Sequence, residues 1–193
     1  MGIATGLDLV DDEEGDGIRI TISTLDPLLS RKLEPRAAVP KRRLQIIERL
    51  AANGIPVGVL VAPVIPVLTD PALEQIMQAV RNAGALTAGY ILLRLPHEVS
   101  PLFREWLEIH WPGKASHVMS QIRQARGGRD NVARFGERMR GTGQYAGMIN
   151  QRFRLMHRKL DFPGLPDLRR SAAQHIQLHV AEPRLTLPEV KWP

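Results

Sequence analysis

Val57-Gly58-Val59-Leu60-Val61-Ala62-Pro63-Val64-Ile65-Pro66 is the stretch on which the fold turns. Its first six residues form a nearly continuous apolar run, the pattern of a parallel strand covered on both faces. Pro63 and Pro66 lack the N–H that a sheet ladder needs, so the strand is expected to end at Ala62. Downstream, Asp70-Pro71 reads as a helix cap with proline at the first helical position. Leu73, Ile76, Met77 and Val80 follow at helical spacing, and Gly84 closes the unit.

The same sentence is written on either side. Ile18–Thr24 alternates apolar and polar residues and reads as a strand broken by Asp26-Pro27. Leu44, Ile47 and Ala51 mark a helix over 40–52, stopped by Asn53-Gly54. Gly89–Pro96 is a third apolar strand, and Ser100-Pro101 opens a helix with Phe103, Trp106, Leu107 and His110 on its inward face. Strands starting near 18, 57 and 89 with helices between them mean βαβ units and a parallel sheet.

Four regions follow. Residues 1–17 are an acidic, flexible terminus. Residues 18–112 hold the three βα units, and 113–162 form a basic helical segment. Residues 163–193 are a proline-rich, extended tail, with a short helix open between Arg169 and Val180. In the basic segment, Val118, Met119, Ile122 and Ala125 predict one helix and Tyr145, Ile149, Phe153, Met156 and Leu160 another. The glycine- and arginine-rich stretch 128–143 reads as an ordered loop between them.

The chain has no cysteine. This excludes disulfides, thiol nucleophiles and thiolate-held zinc or iron–sulfur centres. Six histidines remain; only His175 and His179 share helical spacing, and two ligands do not make a site. No apolar run reaches the roughly 18 residues of a membrane span. The acidic start lacks the basic and apolar regions of a signal peptide, so a cytoplasmic protein with no membrane partner is expected. Nucleotide-binding GxGxxG and GxxxxGK[ST] loops and the GxSxG elbow are absent.

The net charge of +6 is unevenly placed. Residues 1–17 carry six acids and no base, whereas 114–160 carry eleven Lys/Arg against Asp130 and Glu137. Arg123, Arg126, Arg129, Arg134, Arg138 and Arg140 cluster there among glycines, a pattern suited to phosphate because guanidinium donates two hydrogen bonds at once. A solvated helix face with internal salt bridges explains the same residues.

In parallel α/β folds, ligands bind beyond the carboxyl ends of the strands. Three segments lie there: Ser23–Asp26 with Glu34 and Arg36, then Ala62–Pro66, then Arg94–Glu98. Each has a structural explanation, with Asp26 capping a turn, Glu34 pairing with Arg36 and Arg94 bracing Glu98. Their convergence at one end of adjacent strands argues for a pocket.

The strings TISTLDPLLSRKLEPRAAVPKRRLQIIERLAANGIPVGVLVAPVIPVLTD, AGYILLRLPHEVSPLFREWLEIHWPGKASHVMSQIRQARGGRD and RFGERMRGTGQYAGMINQRFRL, in that order, resemble the C-terminal half of radical S-adenosylmethionine (SAM) proteins. The group is the DNA-repair-photolyase-like one, relatives of spore photoproduct lyase, and the likeness spans about residues 19–160. It implies a partial (β/α)6 barrel whose fourth to sixth strands are the three here. Complete members hold a [4Fe–4S] cluster on a CxxxCxxC-type motif, and SAM chelates its open iron. This chain has neither that motif nor the Gly-Gly-Glu-type segment that grips the SAM amino group.

What the resemblance carries over is the remaining pocket wall. Ser23 and Thr24 would meet SAM ribose or carboxylate, the backbone of Ala62, Val64 and Ile65 would meet adenine, and Glu34, Arg36 and Arg94 would bind carboxylate or substrate. Val67 stands where the family has glycine. The resemblance thus implies a truncated radical SAM chain, expected to be inactive alone, whose partner is a second copy or a separate N-terminal half. Two alternatives stay open: a nucleic-acid-binding module using 123–140, and a decayed gene product.

Overall fold

The computed structural model describes residues 7–9, 17–130 and 137–165. Strands β1 (Leu7–Leu9), β2 (Ile18–Thr21), β3 (Val57–Val64) and β4 (Thr87–Leu92) form one sheet in that order. The last three run parallel, with Ile20, Val59 and Ala88 in one cross-strand row. The chain is thus a mixed α/β protein around three parallel strands.

Part of the stretch expected to be a flexible terminus is instead a strand. Leu7–Leu9 pairs antiparallel with β2, Leu7 opposite Ile20 and Leu9 opposite Ile18. This pairing covers the edge of β2, so that β1 and β4 are the outer strands of the sheet among the described residues. The remaining residues of 1–16 lie outside the described residues, as do 131–136 and the tail from 166, including the helix considered between Arg169 and Val180.

Helix α1 (Pro27–Leu33) begins where the sequence suggested only a break: Asp26 Oδ1 accepts the Leu28 N–H at 2.8 Å. Helix α2 (Pro40–Ala52) has the expected bounds, and Gly54 at φ 72° makes the left-handed stop. β3 runs two residues past Ala62. The ladder shifts register between Val61 and Val64, a bulge that accommodates Pro63, and the Ala62–Pro63 peptide is cis. Asp70 does not cap a helix; it starts a 3-10 turn (Asp70–Ala72), and α3 (Leu73–Asn82) follows. At the end of α3, Gly84 has φ 99°, and a Cβ there would stand 2.6 Å from that of Ala51, so only glycine fits against α2.

Helices α4 (Val99–His110) and α5 (Pro112–Gln124) form a hairpin bent at Trp111. A four-residue helix α6 (Glu137–Arg140) and the long α7 (Gly143–Leu160) complete the described fold. Among the described residues no helix is long and apolar enough to cross a membrane.

The two faces of the sheet are unequal. Ile20, Val57, Val59, Val61, Ala88, Tyr90 and Leu92 point into a core closed by Ile47, Ile76, Met77, Val80 and Ile149 from α2, α3 and α7. Each fully buried aliphatic side chain there contributes about 1.5–3 kcal/mol. The alternate residues Thr21, Leu60, Gly89 and Ile91 face the other way and stay half-exposed. Thr21, Leu60 and Gly89 form one row across the strands. A second cluster of Ile65, Leu95, Leu107, Ala115, Val118, Met119 and Ile122 seats the α4–α5 hairpin against the carboxyl ends of β3 and β4.

Candidate functional site

The carboxyl end of β2 leads into Ser23 and Thr24, each 3% exposed. Thr24 Oγ1 accepts the Asp26 N–H at 3.1 Å, so it serves the turn into α1. Glu34 does not pair with Arg36. Its carboxylate accepts from Arg43 Nη2 at 2.5 Å, and Arg43 also donates to the Thr21 and Ala38 carbonyls. The two side chains are 7% and 6% exposed. This buried clasp ties the start of α2 to the end of β2 and withdraws Glu34 from a ligand. Arg36 is exposed nearby in sequence.

At the end of β3, Ala62, Val64 and Ile65 are buried, the latter two at 1%. The backbone expected to meet adenine is already engaged. The Ile65 N–H donates to Thr69 Oγ1 at 2.7 Å, and that hydroxyl donates to the Pro63 carbonyl at 3.1 Å. The Ile65 carbonyl accepts from Thr69 at 3.0 Å and from Leu68 at 3.2 Å, and Val64 accepts from Leu93 at 2.9 Å. Val67 caps this loop at φ 69°, the left-handed conformation that glycine adopts freely.

At the end of β4, Arg94 has its Nε buried with no hydrogen-bond partner among the described residues. It does not brace Glu98 there. Beside it lies Arg126, 1% exposed, which donates to the Leu92 and Leu93 carbonyls at 3.1 and 2.9 Å. Burial, then the like charge of Arg94, pulls the Arg126 guanidinium below its ordinary range. A cavity of about 10 Å³ lined by Val64, Leu92, Leu93, Arg126 and Tyr145 lies here, room for about one water. The α4–α5 hairpin packs beside it on Ile65 and Leu95. The expected pocket residues sit on three adjacent strand ends, and Arg94 Nε has no hydrogen-bond partner among the described residues.

The arginines assigned to nucleic acid divide. Arg123 donates to Asp130 at 3.0 Å, and Arg126 is buried against the end of β4, so both have intramolecular roles. Arg129 is exposed. Arg134 and the Arg138 side chain lie outside the described residues. Arg140 lines a cleft of about 770 Å³ between β4 and α7, with Tyr90, Asn150, Phe153, Arg154, His157 and Arg158. Sequence reasoning does not reveal this cleft. Its only local signal is the spacing of Arg154, His157 and Arg158 on one helix.

A second unforeseen group joins α7 to the loop after β3. Arg152 donates to both Glu74 oxygens at 2.7 and 2.6 Å and to the Asp70 carbonyl at 2.9 Å. Its hydrogen bonds hold the Glu74 carboxyl below its usual range. Burial pushes the Asp70 carboxyl up, against the opposing pull of the Val67 amide, Tyr145 and Arg152. Burial, with the Asp70 charge facing it, likewise pushes the Tyr145 hydroxyl up. The two groups face each other, yet among the described residues neither Asp70 Oδ1 nor the Tyr145 hydroxyl makes a well-formed hydrogen bond.

The site does not fit an iron–sulfur cluster. Such a cluster needs thiolates, the chain has no cysteine, and among the described residues no three His, Asp or Glu side chains converge.

No family model matches the chain, and no solved structure matches it. Over 109 residues it is 33% identical to the uncharacterized protein Rv2578c of Mycobacterium tuberculosis, covering 55% of this chain and 32% of that protein. Over 88 residues it is 34% identical to the uncharacterized protein ORF301 of Acidianus two-tailed virus, covering 42% and 29%. The chain therefore spans about a third of the length of the curated relatives it matches.

Proposed function

We propose that this chain is the distal half of a partial barrel of the radical SAM kind, one wall of a SAM pocket with no cluster chemistry of its own. The observation that carries this reading is the uneven sheet. Parallel sheets bury both faces, yet the Thr21–Leu60–Gly89 row and Ile91 stay half-exposed opposite the helix-packed core. That face suits the interior of a barrel that further strands would close. The length of the relatives, about three times the matched segment, is in keeping with it.

Within that wall, Arg94 is the residue suited to a ligand. Its Nε has no hydrogen-bond partner among the described residues, and a guanidinium pairs bidentately with a carboxylate such as that of SAM. Ser23, Thr24 and the Ala62–Ile65 segment shape the floor through packing. The chain itself is a binding element here and transfers no group.

Two measurements on the purified chain test this. Anaerobic treatment with iron and sulfide is expected to leave no absorbance near roughly 400 nm, where thiolate clusters absorb. Equilibrium dialysis against labelled SAM is expected to show weak retention that Arg94→Ala abolishes. A stoichiometric cluster, an absence of SAM retention, or retention unchanged by Arg94→Ala would each overturn the reading.

A further inference from the structure

The cleft between β4 and α7 lies beside residues 87–90 of β4, away from the carboxyl ends of the strands. Its chemistry is one-sided. Arg140, Arg154 and Arg158 line it, no Asp or Glu among the described residues does, and none of the three guanidinium groups has an ion-pair partner there. Arginines on a helix face are ordinary when solvated, so charge alone decides little.

The buried wall is what sets the cleft apart. Tyr90 is 6% exposed and lines it, and its hydroxyl is buried without a hydrogen-bond partner among the described residues. Buried polar groups are almost always paired. Burial pushes the Tyr90 hydroxyl up, against the pull of Arg140 and Arg154, so it stays a neutral donor facing two cations. Such a donor with adjacent guanidinium groups matches an oxygen-rich anion.

The floor is aromatic. Tyr90 and Phe153 lie 4.8 Å apart between ring centroids and Phe153 and His157 5.8 Å, while the buried Phe162 backs His157 at 4.9 Å from outside the cleft. Phe153 and His157 are half-buried and present ring surface to the cleft. The volume of about 770 Å³ is in the range of ligand clefts, roughly 300–1,000 Å³. The lining residues from Asn150 to Arg158 span about 12 Å of helix. Aromatic rings beside a cationic track are the pairing that single-stranded nucleic acids use, bases stacking while phosphates meet arginine.

We propose that this cleft binds single-stranded nucleic acid, with Arg140, Arg154 and Arg158 on phosphates, the Tyr90 hydroxyl donating to one of them, and Phe153 and His157 beneath a base. The inference stands apart from the barrel reading, since it uses none of the strand-end residues.

Fluorescence anisotropy with a short labelled oligothymidylate, starting at about 50 mM salt, tests it. Binding is expected, and the Arg154→Ala/Arg158→Ala double variant should weaken it at least tenfold. The same variant should flatten the log–log salt slope by about 1.4, at roughly 0.7 per single-strand phosphate contact. Arg123→Ala should change neither. Tyr90→Phe should weaken binding severalfold while melting no lower than the parent chain, which separates a lost contact from a damaged fold. Unlabelled oligothymidylate should compete far better than ATP or inorganic phosphate at equal phosphate concentration. No binding at low salt, unchanged binding in the double variant, or equal competition by ATP or phosphate would overturn the proposal.

Discussion

Glu34 and Arg43 face each other at 2.5 Å with side chains 7% and 6% exposed. Arg43 also holds the Thr21 and Ala38 carbonyls, so one guanidinium joins β2, the loop after α1 and the start of α2. Removing one partner of a buried pair leaves an uncompensated charge, which costs about 3–5 kcal/mol. Arg43→Ala is expected to lower unfolding stability by that amount in a urea titration. A loss under about 1 kcal/mol would mean that water reaches Glu34.

Val67 should invert a familiar ranking. At most positions glycine is less stable than alanine, by roughly 0.5–1 kcal/mol in regular structure. Val67 has φ 69°, where a Cβ costs about 1–2 kcal/mol. Val67→Gly and Val67→Ala both remove the two γ-methyl groups and differ only by the Cβ, so their difference isolates its effect on the backbone. The glycine variant is expected to be the more stable by about 1 kcal/mol in paired denaturant melts. The opposite order would show that the loop relaxes out of the left-handed region.

Asp130 predicts an acid-sensitive contact. Burial pushes its carboxyl up, but hydrogen bonds from Ser100, Arg104 and Arg123 outweigh this and hold it at about 2. A folded-state value below the unfolded one means stability that is present above roughly pH 4 and lost as pH falls toward 2. Asp130→Asn should therefore flatten the stability–pH curve between about pH 4 and 2. An unchanged curve would place the acid transition on other carboxylates.

The half-exposed Thr21–Leu60–Gly89 row and the outer strand β4 predict self-association. Light scattering coupled to gel filtration should show mean mass rising with concentration. A sharp monomer melting cooperatively well above roughly 45–65 °C would show that this face is covered in another way.

Several local features are legible in the residues themselves. Leu44, Ile47 and Ala51 set the bounds of α2, because one helical face is buried and the other solvated. Other features depend on partners far along the chain. Glu34 has Arg36, Arg42 and Arg43 within reach in sequence, and only the turn into α2 selects Arg43. Asp70 looks like a cap because its local context, Asp-Pro, is that of a cap. Its actual neighbours, Tyr145 and Arg152, come from α7. The α4–α5 hairpin closes on Ile65 and Leu95, and no periodicity within either helix reveals where it will dock.

The sequence by itself determined the three parallel strands, the main helices and the exclusion of thiolate chemistry. Those follow from burial patterns repeating within one element and from composition, both local properties. Tertiary structure alone decided that β1 covers the edge of β2, that Arg123 and Arg126 turn inward, and that Arg140 joins α7 across a cleft. Arginine has a long side chain with several donors and satisfies them wherever packing brings a carbonyl or carboxylate within about 3 Å. Which acceptor that is depends on how whole elements pack, a relation that no short stretch of sequence contains.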